Sequence, residues 1–179
     1  MIVIVDNGNG ANEIANFIRG PKDIMKPSEA LKSKASGFIL SDGDMKNQGA
    51  NIKIINSANK PLLAIGAGYI FLGAAYGAKA KESKLDKTDS VRVKHSCPLT
   101  LDLKKMFTVM QNCRHVFAEL PENFEVIASS PKYEYKIIQE MEKPFFGVHF
   151  NPELGKDGLK VLDNFAKFVE VWEKYHRGQ

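Results

Sequence analysis

The chain has 179 residues, a hydrophobic fraction of 44%, a charged fraction of 26% and a net charge of +4. Those values fit a globular domain with a sizeable core and exclude a collagenous, low-complexity or disulfide-stapled chain. No apolar run is long enough to span a bilayer, and the lysines are scattered rather than interleaved with aromatics, so neither a membrane nor a nucleic acid is expected as a partner.

Ile2–Val5 is a short, continuous apolar run, the mark of a strand covered on both faces. It lacks a basic leader and is too short for a signal peptide. Asp6–Gly10 reads as a turn, Ala11–Arg19 as a helix, and Pro27-Ser28 as the start of a short helix with Ser28 as N-cap, ending near Lys32–Ser33. Gly37–Leu40 is a second buried strand, followed by the turn-rich Ser41–Asp44. Leu62–Ile65 is a third, and a helix follows from Ala67 to about Tyr76, stopping at Gly77.

From Lys79 to Leu103 charges alternate with single apolar residues, so strands such as Val91–Lys94 should be half exposed. Phe124–Ala128 and Tyr135–Gln139 read as strands joined by a polar turn. Pro144–Phe150 is a strongly apolar strand ending at a turn by Pro152. Leu159, Leu162, Phe165, Ala166, Val169 and Trp172 share one helical face, opposite Asp163, Lys167, Glu170 and Lys174. Strand–helix alternation in the first half implies right-handed βαβ units. The expected fold is a single α/β domain over residues 1–179, with a mostly parallel sheet, helices on both faces and a small antiparallel portion.

The chemistry of the chain turns on Pro61–Gly68. Ala64-Ile65-Gly66-Ala67-Gly68 has the layout of a nucleophile elbow, in which the central residue of G-x-[C/S]-x-G attacks from a sharp strand-to-helix turn. Here that residue is Gly66, which has no side chain. Downstream, Val148–Glu153 places Asn151 where a base is needed.

Five fragments, in order, resemble the class I glutamine amidotransferase family: Ile2–Gly8, Gly37–Gly43, Pro61–Gly68 followed by Ala75–Gly77, Leu120–Val126 and Lys143–Glu153. Within that family the likeness is greatest to the glutamine-hydrolysing subunits of GMP synthases. The resemblance implies a flavodoxin-like fold. It also implies an acyl-transfer site in which a cysteine thiolate attacks the glutamine amide, a histidine serves as base and then acid, and a glutamate orients the histidine. It places these roles at Gly66, Asn151 and Glu153, of which only Glu153 keeps the expected residue type.

The resemblance implies other departures around the pocket. The oxyanion strand, usually ending Ser-Gly-Gly-Pro, has Asp42, Gly43 and Asp44. Gly-His-Gln after the nucleophile becomes Gly68-Tyr69-Ile70, beside Ala67, and a Ser-His pair corresponds to Asn112-Cys113. The substrate pocket, Asp42, Gly43, Ala67, Ile70, Asn112 and Cys113, is expected to be vestigial.

Two cysteines, Cys97 and Cys113, make no disulfide framework, so a reducing cytoplasm is the expected location. No metal or other cofactor is expected; His95 and Cys97 lack a second ligand pair. Gly8-Asn-Gly10 lacks a full phosphate-loop fingerprint and reads as a turn. His149 alternates with Asn151 and is expected to be an ordinary hydrogen-bonded histidine.

Three functions compete. The first is a glutaminase-dead homologue that acts by docking, as a scaffold or regulator, on an ATP-pyrophosphatase-type synthetase subunit. The second is altered acyl-transfer chemistry using Asp42 or Cys113, the latter activated by His115 or His149. The third is a small-ligand sensor using the former glutamine pocket.

Overall fold

In the computed structural model, which describes residues 1–176, apolar patterning sets the layers. Strand β1 (Ile2–Asn7) is the second strand of the sheet, flanked by β2 (Lys22–Met25) and β3 (Gly37–Gly43); β4 (Leu62–Ile65) and β11 (Phe145–Val148) follow, all parallel. Helices α1 (Ala11–Phe17) and α5 (Gly158–His176) cover one face, and α2 (Pro27–Ala30), α3 (Gln48–Ser57) and α4 (Ala67–Ala75) the other. Leu63 and Ile65 point to the first core while Leu62 and Ala64 point to the second. A strand buried on both faces has to be apolar throughout, which is why Leu62–Ile65 shows no polar alternation.

Beyond β11 the sheet continues antiparallel through β10 (Ile137–Glu140), β9 (Phe124–Ser129), β6 (Thr88–Val93) and β7 (Met106–Met110). The antiparallel arm is therefore broader than the small portion expected, with four strands added to the parallel five. A separate ribbon pairs β5 (Ala80–Glu82) with β8 (His115–Phe117).

Ser28 does not cap α2. Pro27 takes the first helical position, where its missing N–H costs nothing, and the Glu29 carboxylate accepts the Lys26 N–H at 3.2 Å. Helix α5 has the amphipathic character expected of it. Leu162, Phe165, Ala166 and Val169 are buried, and Asp163 accepts from Lys167 at 2.8 Å on the outer side. Among the described residues, no helix is long and apolar enough to cross a membrane.

Candidate functional site

Register places three residues together. β4 lies between β3 and β11, with Leu40 paired to Ala64 and Val148 to Ile65. Asp42 near the end of β3, Gly66 directly after β4 and Asn151 three residues past β11 therefore meet at the carboxyl ends of adjacent parallel strands, where α/β sheets bind ligands.

Gly66 makes the turn between β4 and α4 at φ 56° and ψ −113°. That region favours glycine, and a side chain there stores strain. Space is also closed: a Cβ on Gly66 would lie 2.5 Å from both Cγ and Oδ1 of Asp42.

The Asp42 carboxylate is what fills that space. Its Oδ1 accepts the N–H of Ala67 at 2.8 Å and of Gly43 at 2.9 Å. In a nucleophile elbow the N–H after the nucleophile and a second loop N–H hold the developing oxyanion. Here an internal carboxylate takes both donors. Its Oδ2 accepts from Asn151 Nδ2 at 3.0 Å.

Asn151 is fully buried and fully used. Its amide nitrogen donates to Asp42 and, at 3.0 Å, to Glu153 Oε1, while its oxygen accepts the Asn112 N–H at 2.7 Å. That last donor fixes which end of the amide is oxygen. Glu153 sits in a 3₁₀ turn, Pro152–Leu154, and is 6% exposed. Its Oε2 has no partner among the described residues. Burial pushes its carboxyl up to about 7, with the nearby Asp42 and Glu13 charges adding to the rise and the Asn151 hydrogen bond opposing it.

Above this buried layer lies a shallow cavity of about 260 Å³. Asp42, Gly43, Ala67, Asn112 and Cys113 line it, as expected, together with His115, weighed above only as a base for Cys113, Asn9 of the Gly8–Gly10 turn, and Met45 and Arg114, which no sequence motif singles out. Ile70 does not line it, contrary to expectation. One turn into α4, Ile70 is 1% exposed and packs into the core on that face of the sheet.

Cys113 is buried, and its thiol donates to the His115 carbonyl at 3.6 Å. Burial pushes that thiol up to about 12, so it holds its proton at neutral pH. Among the described residues no hydrogen bond joins this thiol to the ring of His115 or His149. The His149 ring nitrogen Nε2 lies 2.6 Å from the His115 carbonyl, and burial, helped by the Lys136 charge, drives its pKa down to about 4. Among the described residues no three His, Cys, Asp or Glu side chains converge as metal ligands.

The scaffold that holds the Asp42 loop leaves no mark in the sequence. Asn7 donates to the Ser41 carbonyl at 2.9 Å and accepts from Asn51 at 2.7 Å, and its carbonyl takes the Asp44 N–H at 2.9 Å. Buried asparagines are the available signal, but only the fold tells which asparagines are buried.

A sharp turn between a central parallel strand and a helix, with two backbone N–H groups beside it converging on one oxygen, defines an α/β protein with an elbow-type site. The sequence matches the glutamine amidotransferase class-I family over residues 11–168, and the chain belongs to that family. It is 29% identical over 181 residues to the glutamine-hydrolyzing GMP synthase subunit of Methanococcus aeolicus, covering 93% of this chain and 96% of that one. It is 30% identical over 184 residues to the corresponding Methanocaldococcus jannaschii protein, with 93% and 96% coverage. A solved structure of a candidate protein of the same GMP synthase type, from Thermoplasma acidophilum, superposes with a TM-score of 0.91 at 22% identity, covering 98% of this chain and 96% of that one. A glutamine amidotransferase from Thermotoga maritima superposes at 0.70 and 15% identity, covering 99% and 85%. At these identities the two structures speak for the fold alone.

Proposed function

We propose that this chain is a homologue of the GMP synthase amidotransferase subunit that does not hydrolyse glutamine and acts by binding, as a scaffold or regulator of a synthetase subunit. The observation that carries this reading is the Asp42 carboxylate seated on the Ala67 and Gly43 N–H groups.

Glutamine hydrolysis by the family route needs a thiolate to attack the amide carbon, a base to take the thiol proton and return it to leaving ammonia, and donors for the oxyanion. Position 66 supplies no attacking atom. The Asn151 amide has no titrating group near neutrality. A substrate carbonyl would have to displace Asp42 from the donors and then develop negative charge beside it. Loss of the nucleophile alone costs roughly 10⁶ in turnover in comparable triads. The high pKa of the Cys113 thiol argues against substitute chemistry there. The cavity of about 260 Å³ is also smaller than most ligand sites, which run from roughly 300 to 1,000 Å³, so a sensor is the weaker reading.

The partner we propose is an ATP-pyrophosphatase-type synthetase subunit, working on free ammonia in the cytoplasm. Purified chain, alone and mixed with the synthetase from the same genome, should release no glutamate from glutamine above background. The mixture should run as a complex in size-exclusion chromatography. Glutamine turnover would overturn the inactive reading, and separate elution at micromolar concentration would overturn the docking reading.

A further inference from the structure

The parallel sheet has a second end. The segments that lead into β3 and β4 meet the last turns of α5 around a cavity of about 540 Å³, at the amino ends of strands whose carboxyl ends hold Asp42 and Gly66. Phe38 and Ala58, each 8% exposed, line its apolar part. Trp172 and His176 form one wall, stacked with ring centroids 4.0 Å apart and planes 12° from parallel. His176 Nδ1 lies 2.9 Å from the Trp172 carbonyl, which holds the imidazole in the stack.

Lys34 and Lys60 line the cavity, with the hydroxyl residues Ser33, Ser36 and Ser57; Glu173 is the one acid among its described residues. Ser36 Oγ also accepts from the Met1 nitrogen at 2.9 Å. Gly37 lets the helix come this near. A Cβ there would lie 2.8 Å from Val169 Cγ2, so any other residue would have to push Val169, and with it α5, away from the start of β3.

We propose that this cavity binds a nucleoside monophosphate, with the base against the Trp172–His176 wall and the phosphate between Lys34 and Lys60. The two halves of the lining call for the two halves of such a ligand. A bare anion would leave the aromatic wall and the Phe38 surface uncovered. A neutral aromatic would leave two lysines unanswered. The volume lies within the range of small-ligand sites, aromatic faces stack on any base, and lysine serves phosphate as a mobile point charge. The cavity shares no residue with the Asp42 site, so this inference stands apart from the proposed function.

The chain contains one tryptophan, so its intrinsic fluorescence reads this cavity directly. Wild-type protein is titrated with adenosine and guanosine 5′-monophosphates, and in separate arms with the nucleosides and with inorganic phosphate, free tryptophan correcting for absorbance. At least one monophosphate should give a saturable change. Its nucleoside and inorganic phosphate should each bind at least about tenfold more weakly. Lys34→Glu/Lys60→Glu, at solvent-accessible positions, should weaken monophosphate binding about tenfold or more without altering the melting temperature. If that variant fails to fold, rising salt should weaken wild-type binding in the same direction. A flat titration to about 5 mM, equal binding of inorganic phosphate, or affinity unmoved by both charge reversal and salt would overturn the proposal.

Discussion

Gly66 and Asp42 exclude each other's family-like forms. A Cβ at position 66 needs the space that the Asp42 carboxyl occupies, at a backbone angle side chains rarely adopt. Gly66→Cys should therefore cost about 1–3 kcal/mol, and Asp42→Gly in the same chain should return part of it, as thermal melts of the two single variants and the double would show. Glu153 gives a second expectation, on pH. Its folded carboxyl titrates at about 7 against an ordinary 4.5, so the folded state holds its proton longer than the unfolded chain does. Below pH 4.5 both states are protonated and nothing is lost; stability then falls as pH rises toward 7 and is flat above it. The full loss is about 3 kcal/mol. Glu153→Gln keeps the acceptor for Asn151, and its melting temperature should lack this decline between pH 5 and 8. At this scale the sequence is most legible where a missing atom is the message, at Gly66 and Asn151. That Asp42 takes the anion hole is not legible, because it depends on two backbone N–H groups from different elements pointing at one oxygen. Ile70 departs from expectation for a related reason: sequence proximity to the elbow does not fix which side of a helix faces the cavity.

Strands buried on both faces announce themselves, Leu62–Ile65 to the residue. Helix α3, Gln48–Ser57, does not, because its sequence, with Gly49, two asparagines and three isoleucines, has weak helix propensity. Tertiary contacts hold it: Ile54 and Ile55 are buried, and Asn51 bonds Asn7. The edge strands β2 and β7 stay hidden for lack of a full apolar run; β2 is exposed or half-buried along its length. The antiparallel arm holds an ion pair that no pattern reveals. Lys136, just before β10, is fully buried and lies 3.0 Å from Asp89 of β6, with Gln111 after β7 also bonded to its ammonium. Burial works against both charges, lowering the Lys136 pKa, while hydrogen bonds from Ser130 and Lys136 hold the Asp89 carboxyl below its ordinary range. Lys136→Met leaves that carboxylate uncompensated and should cost about 3–5 kcal/mol. Lys136→Met/Asp89→Leu should be markedly less damaging than Lys136→Met alone, a comparison urea titrations can make.

For the whole molecule, a glutamine amidotransferase-family fold surrounds a pocket in which Asp42 bonds the N–H groups of the elbow. Gly66→Cys/Asn151→His should not recover family-like glutaminase activity, because the Asp42 carboxylate, even when pushed aside by the new side chain, stays next to the Ala67 and Gly43 N–H groups and opposes negative charge developing there. Adding Asp42→Gly should raise any activity above the double variant, and coupled glutamate detection would rank the two; full activity in the double variant would mean that Asp42 moves aside at no cost. The three-way bonding of Asp42 also has a historical consequence. Starting from this sequence, a mutation at position 66 meets a clash, while one at position 42 strands two N–H donors and the Asn151 amide. A change at 151 leaves the Asn112 N–H and two carboxylates without their shared partner. Each single step back is downhill in stability before any catalytic gain can be felt. On the function proposed above, the pocket would therefore work as a one-way ratchet: a chain with this aspartate seated would reach ammonia chemistry only by changing several residues at once.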